Sequence, residues 1–121
     1  MTYSIKFDPE LDCIMVRVAG ELDFPTLQSI AKDVNILAEK HGCRRVFNDL
    51  CDAQESTTLE IYNMPKAAEQ AGVSFKFKRA LLTNSLDEFG FLETVFVNMG
   101  HQVRLFTSEA EAKRWLGLAP D

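Results

Sequence analysis

The chain has 121 residues, 46% apolar and 26% charged, with 13 basic and 18 acidic side chains and a net charge of −5. That length suits one domain, residues 1–121, able to bury a core without staples, and the apolar content excludes a disordered chain. The acidic balance repels polyanions, so no nucleic-acid partner is expected.

The cysteines are Cys13, Cys43 and Cys51, an odd count that argues against a disulfide framework. Met1–Lys6 lacks the basic and then apolar run of a secretion signal. No apolar stretch approaches the roughly 20 residues that span a bilayer. The expectation is a cytoplasmic chain that does not cross a membrane.

In chain order, Tyr3 to Phe7 alternates as a strand, Asp8 to Asp12 carries turn residues, and Cys13 to Ala19 alternates again. A short turn between two strands makes them antiparallel, with Gly20 ending the hairpin. Asp23 and Pro25 suit the start of a helix with its apolar stripe at Phe24, Leu27, Ile30, Ala31, Val34, Leu37 and Ala38. Ile36 is the apolar outlier, and Gly42 ends the helix.

Arg45 to Leu50 reads as a third strand, placing Asp49 and Asp52 at or after its carboxyl end. Ser56, Thr57 and Thr58 suit a helical start, but Pro65 predicts a break and a separate helix from Pro65 to Ala71. Phe75 to Leu82 reads as a fourth strand. Ser85 and Glu88 form a capping box before a helix with its core stripe at Phe89, Leu92, Phe96 and Met99. Val103 to Phe106 is a fifth strand, and Ser108 with Glu111 caps a last helix.

The order β-β-α-β-α-β-α-β-α implies an α/β fold. It has a mixed, mostly parallel five-stranded sheet, an antiparallel edge strand and flanking helices. Ligands of such sheets bind outside the carboxyl ends of the strands. That end collects Asp49, Asp52, Ser56, Thr57, Thr83 and Ser85 as a candidate binding face.

Val46 to Ala53, Ala80 to Leu82, Phe89 through Asn98-Met99-Gly100-His101, Val103 to Phe106, Glu111-Ala112 and Trp115-Leu116 together resemble the SpoIIAA-like (STAS-type) family of small standalone domains. The resemblance spans nearly the whole chain. It implies a non-catalytic regulatory module that binds a protein partner and that forms a homodimer in one reading. In anti-sigma-factor antagonists of this type a serine after the third strand is phosphorylated, and the nearest hydroxyls here are Ser56 and Thr57. The Asp-Ser-Ser-Gly-Leu-type motif of those antagonists is absent. Grouping of such domains with lipid-carrier folds keeps a small apolar ligand as the alternative.

The residues themselves carry little catalytic chemistry. Asp49 and Asp52 fit an acid/base pair or a cation site, but hard cations want more oxygen ligands and aspartates commonly make turns. Enzyme action through them is the least favoured reading, and no metal or cofactor is expected. His41 and His101 adjoin glycines at helix ends, where helix-dipole capping explains them. Cys43, beside Arg44 and Arg45, is the best candidate for an activated thiol. Lys76, Lys78 and Arg79 interleave with Phe75 and Phe77, which suits a single-strand binder or, more plainly, an amphipathic strand with its lysines outward. Phe91, Val97 and Ile36 fall off their helix stripes and form a candidate apolar interaction surface.

Overall fold

The computed structural model describes residues 3–118; the first two and last three residues of the expected domain lie outside the described residues. The elements are β1 (Tyr3–Asp8), β2 (Cys13–Glu21), α1 (Phe24–His41), β3 (Arg45–Gln54), α2 (Thr58–Gln70), β4 (Lys78–Leu82), α3 (Gly90–Asn98), β5 (Gln102–Phe106) and α4 (Glu109–Leu116). The five strands lie in chain order, with β1 antiparallel to β2 and every later pair parallel. The expected order and sheet are therefore present.

The hairpin turn is made by Asp8, whose Oδ1 accepts the Glu10 and Leu11 N–H groups at 3.0 and 3.2 Å. Helices α1, α2 and α3 cover one face of the sheet over a core that includes Ile14, Val16, Val34, Ile61 and Phe96. Helix α4 covers the other face, with Phe47, Ala80, Phe106 and Leu116 beneath it. Crossovers of one hand put the first three helices on one side; α4 follows the last strand and folds back over the bare face.

Capping follows the sequence at three helices, with Asp23, Thr57 and Ser108 as the N-caps of α1, α2 and α4. Asp23 Oδ1 accepts the Thr26 N–H at 3.0 Å, and Ser108 Oγ accepts the Glu111 N–H at 3.3 Å. Gly42 closes α1 at φ 63°, a left-handed conformation that suits glycine.

Four local readings are corrected. First, β3 runs to Gln54 rather than ending at Leu50, and β2 continues to Glu21. Between the pairs Arg17–Asp49 and Ala19–Asp52, β3 advances by one more residue than β2. This β-bulge carries the strand through its polar stretch.

Second, α2 is one continuous helix despite Pro65. Proline there removes a helical hydrogen bond, at about 3 kcal/mol. It is buried with Ile61, Met64, Ala67 and Ala68, and burial of that whole face outweighs the local penalty.

Third, β4 begins only at Lys78: Phe75 is half exposed, and the preceding segment turns on Ser74, whose carbonyl accepts the Phe77 N–H at 3.2 Å. Being flanked by β3 and β5, β4 is also central, so its cations guard no edge.

Fourth, Ser85 and Glu88 make a turn rather than a capping box. Ser85 Oγ accepts the Asp87 N–H at 3.2 Å, and the Ser85 carbonyl accepts the Glu88 N–H at 3.0 Å. Helix α3 starts one residue after Phe89, whose φ is 64° and whose N–H is held by Glu55 Oε1 at 2.5 Å. A carboxylate from a distant loop replaces the local cap. Met99 ends α3 and is 52% exposed, so it leaves the core stripe it was expected to join.

Candidate functional site

The carboxyl ends of the strands divide into two faces. On the α4 side, Asp49 Oδ1 accepts the Cys51 N–H at 3.0 Å. Asp52 Oδ2 lies 2.8 Å from Arg17 Nη2, in an ion pair whose side chains are 65% (Arg17) and 58% (Asp52) exposed. The Asp52 carboxylate first, and then Asp49, holds the Arg17 guanidinium above its ordinary pKa. An aspartate paired with an arginine is a poor proton carrier. Among the described residues, no group of three or more His, Cys, Asp or Glu side chains is placed to hold a metal ion.

On the α1–α3 side, Thr57 is the N-cap of α2, its Oγ1 accepting the Glu60 N–H at 3.3 Å. Ser56 Oγ lies 2.7 Å from Glu60 Oε2 and 3.1 Å from Glu21 Oε2. Glu60 also accepts the Phe24 N–H at 3.0 Å, tying the start of α1 to that of α2. The Ser56 hydroxyl first, then the Phe24 N–H, holds the Glu60 carboxyl below its ordinary range. With Asp23 and Glu55, this corner is acidic.

Thr83 is removed from the expected face. It is 1% exposed, and its hydroxyl donates to the Ser85 carbonyl at 3.0 Å. It shapes the loop after β4 and does not meet solvent. The bulge and the two-sided sheet thus separate Asp49 and Asp52 from Ser56 and Thr57, so the six residues do not form one site.

The expected apolar surface is also split. Phe91 and Val97 are exposed on α3, at 39% and 48%, whereas Ile36 lies on α1 with α2 packed between those helices. The larger exposed set was missed: Leu59 and Tyr62 on α2, Leu86 in the loop before α3, and Met99 at its end. Tyr62, Pro65, Lys66, Val95 and Met99 line a groove of about 490 Å³ between α2 and α3. Leu59 and Tyr62 fall three residues apart on the outer side of α2, a signal available from helical spacing.

The interior holds a cavity of about 60 Å³, lined by Val18, Ile30, Val34, Leu92 and Phe96 among others, with Arg79 on its wall. Ligand pockets usually enclose roughly 300–1,000 Å³. Neither Phe77 nor Phe91 lines it.

The least expected cluster lies at the other end of the sheet. Arg79, on β4, is 9% exposed, and its Nη2 donates to His101 Nδ1. His101 Nε2 donates to Glu69 Oε2 at 2.9 Å. The Arg79 guanidinium lies 5.0 Å from the Phe96 ring centroid. Burial lowers the Arg79 pKa to about 10, opposed by Glu69. Burial lowers that of His101 first, helped by Arg79 and opposed by Glu69. The histidine is neutral, passing Glu69's charge towards the guanidinium through two hydrogen bonds.

His101 is therefore not a solvent-facing cap, nor is Arg79 an outward cation. Lys78 is engaged too, donating to the Trp115 carbonyl and lying 4.5 Å from its ring centroid. The basic and aromatic alternation is thus no exposed stripe. His41, by contrast, is at the end of α1 and stacks on Phe7 at 3.9 Å.

The thiols are quiet. Burial pushes Cys13 up to about 12, and burial with Asp49 pushes Cys51 up to about 11. Cys43, 3% exposed, donates its S–H to the Asp12 carbonyl at 3.3 Å, which removes it from the role of accessible nucleophile.

Solved structures share this arrangement over nearly all of the chain. An uncharacterized DUF3478-family protein from Shewanella loihica PV-4, described as having a SpoIIAA-like fold, covers 95% of this chain and 94% of its own with a TM-score of 0.62 and 14% identity. The fold is SpoIIAA-like. The anti-sigma factor antagonist SpoIIAA in its unphosphorylated form matches with a TM-score of 0.59 and 13% identity over 95% of this chain and 97% of its own. An anti-sigma factor antagonist from Mycobacterium paratuberculosis reaches 0.63 at 11% identity, over 96% of this chain and 93% of its own. No protein-family model matches the sequence, and no curated protein matches it significantly.

Proposed function

We propose that the chain is a one-domain, non-catalytic regulatory module of the cytoplasm that binds another protein through the α2–α3 face. The observation that carries this reading is the strip of exposed apolar side chains, Leu59, Tyr62 and Met99, beside the acidic corner of Glu21, Glu55 and Glu60. Exposed apolar patches rimmed by charge mark interaction sites. Two structural neighbours are described as anti-sigma factor antagonists, which supports a regulatory binding role. The partner should present an apolar patch with a basic rim. A second copy of this chain would bring two acidic corners together, so a heterologous partner is favoured over a homodimer.

Ser56 gives the face a point of control. SpoIIAA is described in both phosphorylated and unphosphorylated forms. Ser56 is a better acceptor than Thr57, whose oxygen is occupied in capping α2. A phosphate on Ser56 would meet the carboxylates of Glu21 and Glu60 and loosen the corner by repulsion. The carrier alternative has only the 60 Å³ cavity to support it, which suits no lipid-sized guest.

The test is cross-linking capture with tagged wild-type chain, a Leu59→Asp/Tyr62→Asp variant and Ile36→Asp. Loss of one partner in the double variant, and its retention in Ile36→Asp, supports the reading. Identical capture by all three overturns it.

A further inference from the structure

The sheet has a second free flank. Strand β5 is its outer strand beyond β4. The Phe106 carbonyl accepts the Thr83 N–H at 2.9 Å, so positions 102, 104 and 106 bond inward to β4. Val103 and Leu105 consequently direct their N–H and C=O groups outward. One of these groups is taken: Glu93 Oε2 of α3 accepts the Leu105 N–H at 2.8 Å. An acid that occupies a strand edge in this way blocks indiscriminate pairing.

The edge borders an open trough of about 660 Å³ at Gln102, Val103 and Arg104. One wall is α3, with Glu93, Thr94 and Val97; the other carries Lys78, Arg104 and Trp115. In a chain of net charge −5, this trough holds the exposed Arg104 and Lys78, which already donates to the Trp115 carbonyl, against one carboxylate, Glu93, that is also engaged. Gln102 and Arg104 are exposed and share the face covered elsewhere by α4.

The chain's own strands fit poorly. Antiparallel pairing of two β5 edges brings both Arg104 side chains onto one face. Adding β1 of another copy places Lys6 on that face, since Tyr3, Ile5 and Phe7 pack on the other. The β5–β5 pairing sets cation against cation, and the β1 pairing offers Arg104 a cation, Lys6, beside a carboxylate, Asp8, that already serves the hairpin turn.

We propose that the β5 edge is a strand-addition site for an extended acidic segment of another protein, with Glu93 as its displaceable guard. The segment adds a sixth strand, bonding through its main chain to Val103 and Leu105. Its acidic side chains alternate towards Arg104 and Lys78, and its apolar ones towards Val97 and Thr94. The site is separate from the acidic α2 corner and does not depend on it.

The test uses the full chain and a capped seven-residue peptide of alternating glutamate and valine. Trp115 is the only tryptophan and lines the trough, so its fluorescence reports occupancy. Binding is expected with protection of the Val103 amide from hydrogen exchange. The peptide with lysine for glutamate should bind about tenfold more weakly. Methylating alternate backbone nitrogens should abolish binding. Glu93→Ala should tighten it, Glu93→Gln should behave as wild type, and Arg104→Glu, an exposed change, should reverse the peptide preference. Equal binding of the acidic, basic and methylated peptides, or an unprotected Val103 amide, overturns the proposal. So does concentration-dependent protection of Val103 without peptide, which would make a second copy the occupant.

Discussion

The two ends of the sheet handle polar groups in opposite ways. At the carboxyl end, Asp49, Asp52, Ser56 and Thr57 sit at or near solvent, bonded to backbone within three residues or to exposed or half-buried partners. At the amino end of β4 and β5, Arg79 of β4, Glu69 of α2 and His101 just before β5 meet, and the cation is buried. The first end can change its charges cheaply because water replaces a lost contact. The second cannot, because an orphaned buried charge costs several kcal/mol. A regulatory surface belongs at the first end; the second sets how α2, α3 and β4 are held together.

The largest effect should come from Arg79. Arg79→Ala removes the packed stem and leaves His101 Nδ1 without its donor, costing about 3–5 kcal/mol in urea unfolding. Arg79→Met keeps most of the volume and removes the buried charge, so it should cost less than about 2 kcal/mol. Equal costs would mean that the guanidinium's bonds outweigh its packing, and that the end is held by charge rather than by shape.

Next comes pH. The folded His101 pKa lies below its ordinary value of 6.5 because burial disfavours the charged ring. Between the two values the unfolded chain binds more protons, so this residue's contribution is intact above about 6.5 and declines as the pH falls through the folded pKa. Unfolding midpoints measured from pH 7.5 to 5 should drop, and His101→Gln should flatten that slope. An unchanged slope would assign the acid sensitivity elsewhere.

These two ends were not equally legible. The hairpin, the strand order and the caps Asp23, Thr57 and Ser108 rest on neighbours within a few residues, where turn and capping rules act. Pro65, Ser85 and Asp52 misled because tertiary structure overrode the local rule: a buried face carried α2 through its proline, Glu55 took over a cap, and a bulge extended β3. Arg79 and His101 were 22 residues apart, and Glu69 lies 32 from His101. No spacing rule joins such residues, and a cation after Lys76 and Lys78 looks like one more exposed charge until β4 proves central.

At the carboxyl end the effects should be small. Ser56→Asp sets a third acid between Glu21 and Glu60 and should lower the melting temperature by about 2–4 °C, more than Ser56→Ala. Adding 0.5 M salt should shrink that gap, because the repulsion is between exposed charges.

Smallest of all should be Arg17→Ala. Its ion pair with Asp52 joins side chains that are 65% and 58% exposed, and surface pairs of this kind give back in side-chain entropy most of what attraction supplies. What fixes Asp52 is the bulge opposite Ala19, a main-chain feature that does not need Arg17. Arg17→Ala should therefore leave the melting curve unchanged within error at both low and high salt. A clear loss at low salt alone would show that the pair helps to set the bulge, and the carboxyl end would then resemble the amino end, where a charge contact decides the backbone.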